Sequence, residues 1–179
     1  MTLTAVWLAL ASGTAAGASV PVVTVETHSG VYDVHGSFTT RAPLPLAWDV
    51  LTDYDRIASF VSSMHESQVE RRNGDTLRVH QVATINVLMF HRTATVTLAV
   101  TETPPRRIEF VDLLGHDFAS YSGSWTLRAD SASTHVTYAL RATPRTGPSG
   151  WFSRGVMSRT TSDLLVQVRR EIERRAAKP

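Results

Sequence analysis

The sequence predicts an α+β domain in which a curved seven-stranded antiparallel sheet wraps around one long C-terminal helix, with two short helices after the first strand. Three observations lead there. Apolar and polar residues alternate with a period of two in one segment from Val31 and in six more between Ser67 and Thr143, as half-buried strands require. One segment, about Trp151 to Ala176, instead repeats its apolar residues at helical spacing. A sheet of this size must cover one face or close on itself, and only that last segment is long enough to cover it.

Val31 to Arg41 reads as the first strand, with Val34, Gly36, Phe38 and Thr40 on one face. Ala42-Pro43-Leu44-Pro45 ends it, and Pro45 suits the first turn of a short helix that carries Leu46, Ala47, Val50 and Leu51 to about Thr52. Asp53 or Asp55 can cap a second short helix holding Ile57, Phe60 and Val61. Ser67 to Arg72 is a strand, and Asn73-Gly74-Asp75 is a hairpin signal. Thr76 to Met89 follows, with Leu77, Val79, Gln81, Ala83, Ile85 and Val87 in register. His91 to Glu102 places Val96, Leu98 and Val100 together until Pro104-Pro105 interrupts. Ile108 to Leu113, Ser120 to Arg128 and His135 to Thr143 complete the sheet. Tyr121, Gly123, Trp125 and Leu127 share one face, as do Val136, Tyr138 and Leu140. After the Pro/Gly/Ser connector 144–150, the final helix bears a stripe of Met157, Thr161, Leu164, Leu165, Val168 and Ile172. Its length of about 39 Å spans a small sheet.

Composition fits this picture. The chain has 179 residues, 42% of them hydrophobic and 19% charged, which suits a single globular domain. It contains no cysteine, so disulfides and thiolate metal sites are excluded. The seven histidines are scattered; His28 and His35 share no ligating face, and no metal site is expected. Net charge is +2, but from Gly150 onward seven basic residues face three acidic ones. That imbalance suits a transient contact with an anionic membrane surface, or a solvated helix face whose cations complement the helix C-terminus. The strands lack the aromatic–basic interleaving that stacks bases, so no nucleic-acid partner is expected.

The N-terminus resembles an export leader. No charged side chain precedes Glu26, Ala5 to Ala11 is apolar, and Ala16-Gly17-Ala18 is a small-x-small cleavage pattern. Residues 1–18 are therefore expected to be a signal peptide, 19–30 a linker and 31–176 the domain. A periplasmic or secreted location follows, with an uncleaved membrane anchor as the alternative.

Several motifs carry a family resemblance. They are Ala42-Pro43; Ala47-Trp48-Asp49-Val50-Leu51-Thr52-Asp53-Tyr54-Asp55-Arg56; Phe60-Val61; Thr103-Pro104-Pro105-Arg106-Arg107-Ile108; Gly123-Ser124-Trp125-Thr126-Leu127; and Thr137-Tyr138-Ala139-Leu140, before the amphipathic C-terminal helix. In this order, over Val31 to Arg175, they resemble the START-like (SRPBCC) superfamily, which includes polyketide cyclases/dehydrases and coenzyme Q-binding proteins. The resemblance implies the helix-grip fold and a hydrophobic ligand, with catalysis in some members; no cofactor is expected. The Leu51-Thr52-Asp53-Tyr54 segment is nearest the coenzyme Q-binding branch, whose members work in compartments that an exported chain would not share.

Pockets form where a curved sheet grips a helix. The residues expected to line one are Phe38 on the first strand and Gln81, Ala83 and Ile85 on the long strand. Val96, Leu98, Phe110, Trp125 and Tyr138 follow on later strands, with Met157 and Leu164 on the helix. For Trp125, packing in the core competes with ligand contact. Catalytic residues are unknown. Asp112 would be a carboxylate on an apolar wall, able to act as acid or base, or else a solvated strand end; His116 lies in the loop beyond it. Arg92 and Arg107 suit the outer surface better than an anionic ligand head. A binder or carrier of a lipid, quinone or polyketide-like molecule needs only the cavity. An aromatase/cyclase- or dehydratase-type enzyme needs convergent acid–base groups, which only Asp112 and His116 offer.

Overall fold

The computed structural model describes residues 20–87, 90–145 and 152–178. It contains one antiparallel sheet of eight strands: β1 (Val22–His28), β2 (Val31–Thr40), β3 (Met64–Asn73), β4 (Thr76–Val87), β5 (Phe90–Thr103), β6 (Arg107–Asp112), β7 (Phe118–Asp130) and β8 (Ser133–Pro144). Their spatial order is β1-β2-β8-β7-β6-β5-β4-β3. Between β2 and β3 come helix α1 (Leu44–Leu51) and a 3-10 helix (Tyr54–Ser59), and the chain ends with α2 (Arg154–Ala176). The helix-grip architecture is the one expected. None of the described helices is long and apolar enough to cross a membrane.

Two expectations need correction. The sheet has eight strands, not seven, because part of the presumed linker 19–30 is β1. Val22 to His28 pairs with Val31 to Ser37 and buries Val25 at 8% exposure. A two-residue turn joins the strands, with Ser29 at φ 50 and Gly30 at φ 81, the left-handed pair that a tight hairpin demands. The second correction concerns the 3-10 helix. Asp53 sits at its N-cap without a side-chain cap bond; its carboxylate instead accepts from Arg175 Nη2 at 2.7 Å. Asp55 Oδ1 accepts the Val69 N–H of β3 at 2.7 Å. Both acids tie the segment to its neighbours. The proposed signal peptide, residues 1–18, and Trp151, the first residue of the expected final helix, lie outside the described residues.

The core lies between the sheet and α2. Val34, Val79, Val136, Leu165 and Ile172 are fully enclosed. Close approach of α2 to β2 depends on Gly36: a Cβ there would lie 2.5 Å from Leu165 Cδ1. The backbone of α2 comes nearest to β1, β2 and α1. It therefore leans on one side of the sheet and stands farther from β4 to β7, where side chains alone must fill the gap.

Candidate functional site

The gap holds two adjoining chambers of about 120 and 150 Å³. The first lies toward the C-terminal half of α2, bounded by α1, the 3-10 helix and the inner faces of β4 to β8. The second lies toward the N-terminal half of α2, where Ala83, Ala94, Phe118, Phe152 and Met157 form its walls. Val61, Met64, Gln81, Tyr121, Tyr138 and Leu164 line both and so form a waist between them. Two surface grooves are larger, at about 530 and 410 Å³. They are edged by charged side chains such as Arg159 and Asp163, or Arg107 and Glu109, and do not suit an apolar ligand.

The waist is aromatic. The Tyr138 ring lies 4.5 Å from Trp125 and 6.3 Å from Phe110, and Tyr121 lies 4.8 Å from Phe118. A bulge between Phe118 and Ser120 lets β7 turn both Phe118 and Tyr121 inward. Tyr121 and Tyr138 both have raised pKa values, chiefly through burial. Gln81 Nε2 donates to Ser67 Oγ at 3.1 Å. On the first chamber's wall, the Tyr54 hydroxyl donates to Glu102 Oε1 at 2.9 Å. Burial, then the Glu102 charge, pushes the Tyr54 phenol far above its ordinary pKa. Arg72 Nη1 lies 3.4 Å from Glu102 Oε2, so this buried carboxylate is paired.

No Asp, Glu, His, Lys or Arg lines either chamber among the described residues. Among the described residues, the titratable side chains at the walls are the phenols of Tyr54, Tyr121 and Tyr138, with raised pKa values, and these stay protonated near neutrality.

Of the residues expected to face a ligand, Leu98, Phe110 and Trp125 line the first chamber and Ala83, Ile85, Val96 and Met157 the second. Gln81, Tyr138 and Leu164 line both. Phe38 is different: it is 2% exposed and belongs to the solid core, because it lies on β2 on the side where α2 packs closely. Trp125 is half-buried and lines the cavity, so it reaches the chamber while still packing on Tyr138. Asp112 lines neither chamber. Its Oδ1 accepts from Thr97 N at 3.0 Å and Leu114 N at 3.3 Å, and its Oδ2 from Gly115 N at 2.9 Å. It closes the β6–β7 turn. His116 is exposed in that turn. Arg92 Nη2 pairs with Asp117 Oδ1 at 3.6 Å, and Arg107 Nη2 with Glu109 Oε1 at 2.9 Å.

Sequence reasoning missed Tyr54, Tyr121, Phe118 and Phe152 as lining residues. Tyr121 was legible from its alternation with Gly123 and Trp125. Phe118 was hidden by the bulge, and Phe152 precedes the helical stripe that would have flagged it.

A family model described as polyketide cyclase/dehydrase and lipid transport matches residues 40–169. No curated protein sequence matches the chain. Among solved structures, an aromatase/cyclase from a Streptomyces species is similar at 20% identity and a TM-score of 0.68, covering 81% of this chain and 95% of that one. A STAR-related lipid transfer protein from Xanthomonas axonopodis is similar at 15% identity and a TM-score of 0.70, covering 87% of this chain and 95% of that one. A human lipid transfer and protein localization domain is similar at 10% identity and a TM-score of 0.66, covering 86% and 85%. At such identities the likeness speaks to fold.

Proposed function

Because the chain belongs to the polyketide cyclase/dehydrase and lipid transport family, we propose that it binds and carries an apolar small molecule, such as a lipid, quinone or polyketide-like compound, between the sheet and α2. The observation that carries this reading is the lining: two adjoining chambers walled by aliphatic and aromatic side chains, without a charged group among the described residues. Such a surface favours burial of an apolar ligand at roughly 25 cal/mol per Å². Each chamber by itself is smaller than the roughly 300 Å³ of a typical small-molecule site, so a larger ligand would occupy both.

The enzymatic alternative asks for a general acid or base near neutrality, and the lining phenols have pKa values raised by burial. The carrier reading therefore stands first. The leader motif Ala16-Gly17-Ala18 supports export of the mature chain. Exposed Arg159 and Arg170 on α2 lie three helical turns apart on one face and suit brief contact with an anionic membrane during cargo exchange.

Mass spectrometry of an organic extract of the protein from its native host is the test. A single apolar species at near-stoichiometric amount is expected. An empty extract, together with no binding of Nile red by the purified chain, would contradict the proposal. Intact mass of the same preparation is expected to show Ser19 as the first residue, and a full-length chain would contradict export.

A further inference from the structure

Among the described residues, the exposed large apolar side chains are Val20, Val22, Val111, Leu113 and Leu114. The first two stand at the start of β1; the other three gather at the end of β6. Apolar residues scattered singly over a surface need no explanation, but a cluster marks a contact surface. Leu113 and Leu114 are 50% and 48% exposed although the turn that carries them is firmly held. Leu113 N donates to Thr97 O at 2.8 Å, and the N–H groups of Leu114 and Gly115 go to the Asp112 carboxylate. From the far side, Arg145 N donates to Asp117 O at 3.0 Å and Arg145 Nε to Gly115 O. The leucines are therefore exposed by a fixed turn, not by fraying.

The charges around them are unevenly used. The Asp112 carboxylate is spent on backbone donors. Asp117 accepts from Thr95 N at 2.9 Å and pairs with Arg92 at 3.6 Å. Arg145 is exposed, and its guanidinium bonds a neutral carbonyl, so its positive charge is left uncompensated. We propose that Leu113 and Leu114 form a docking tip that inserts into an anionic lipid bilayer, with Arg145 against the headgroups. Two leucines beside a cation match what such a surface offers, hydrocarbon beneath anionic headgroups. A second copy of the chain is a poor fit: a stable interface takes roughly 20–30 residues a side, and this patch is one short turn. Phe118, just beyond the turn, is a wall of the second chamber, so docking here sets that chamber beside the lipid. Unlike the contact through Arg159 and Arg170, this one works by apolar insertion, and it does not depend on what the chambers hold.

The test is flotation with vesicles of phosphatidylcholine alone and of equimolar phosphatidylcholine and phosphatidylglycerol. The wild type is expected to float with the mixed vesicles. Leu113→Ser/Leu114→Ser is expected to bind them about 10-fold more weakly, the order for withdrawing two half-exposed leucines from hydrocarbon. Arg145→Gln is expected to lose about 5-fold on the mixed vesicles and nothing on phosphatidylcholine alone. Neither leucine lines a chamber, so Nile red affinity and Tm of the double variant should match the wild type. Equal vesicle binding by the wild type and the folded double variant overturns the tip, as does a wild type that binds neither vesicle. A wild-type dimer in size-exclusion chromatography that the double variant loses overturns it too, and assigns the patch to a second copy. Vesicle binding that the double variant loses, in a protein that does not bind Nile red, supports the tip and removes the carrier function.

Discussion

Asp112 ends β6 with three backbone N–H groups on its carboxylate. In Asp112→Asn, the amide would turn a donor toward either Gly115 N–H or the Thr97/Leu114 pair. A loss of about 1–3 kcal/mol is expected, read by chemical denaturation, with apolar probe affinity unchanged because Asp112 lines neither chamber. A stable variant that loses ligand turnover would revive the enzymatic reading. Alternation alone placed Asp112 on the inward face; the turn through Leu113–Gly115, with Gly115 at φ 62, is what draws the carboxylate onto backbone donors. Gly123 was legible as a position on the same face as Tyr121 and Trp125, but its neighbours were not. Its Cβ would lie 2.2 Å from Ala139 O and 2.5 Å from Phe110 Cζ, contacts set by the register Phe110↔Gly123↔Leu140. Gly123→Ala should cost about 1–3 kcal/mol through overpacking, visible as a lowered Tm.

At the scale of elements, α2 shows what periodicity can and cannot tell. Its stripe was readable, and Met157, Thr161, Leu165, Val168 and Ile172 are all buried. The charged residue in that buried stripe was not expected. Glu171 is 6% exposed and accepts from Arg174 Nη2 at 2.6 Å and Arg175 Nε at 2.7 Å. Arg175 also reaches Asp53 at 2.7 Å, so the end of α2 is tied to the start of the 3-10 helix. The Arg174 hydrogen bond, aided by Arg175 and opposed by burial, lowers the Glu171 pKa from 4.5 to about 2. The sign follows: a carboxylate depressed on folding contributes stability that is full above its unfolded pKa of 4.5 and is lost as pH falls through about 2. Tm of the wild type should therefore decline between pH 5 and pH 2 (the window set by those two values). Glu171→Gln should start lower at pH 7 and decline less over that range. Parallel curves for the two proteins would contradict the assignment.

At the scale of the whole molecule, the inward faces of the strands were legible because burial on one side imposes a period of two. The height of α2 above the sheet was not. It depends on Gly36 admitting Leu165 on the β2 side and on aromatic side chains holding space on the other, and such cross-sheet distances leave no local mark in a sequence. β1 was overlooked because the leader drew the reading of residues 19–30 toward a linker, although alternating valines and Ser29-Gly30 signalled a hairpin. The cavity itself comes from small residues meeting across strands. Ala83 pairs with Ala94, and both line the chamber of about 150 Å³. A large side chain there would enter space that a ligand needs.

Whether this space holds an apolar molecule is decided by a Nile red binding isotherm on Ala83→Trp, run beside the ligand-free melting curve. A ligand-free Tm close to wild type is expected, since the indole enters the chamber, with probe binding lost or strongly weakened. Overpacking of a solid core would instead cost about 1–3 kcal/mol. A large fall in ligand-free Tm, or wild-type probe affinity in the stable variant, would contradict the claim.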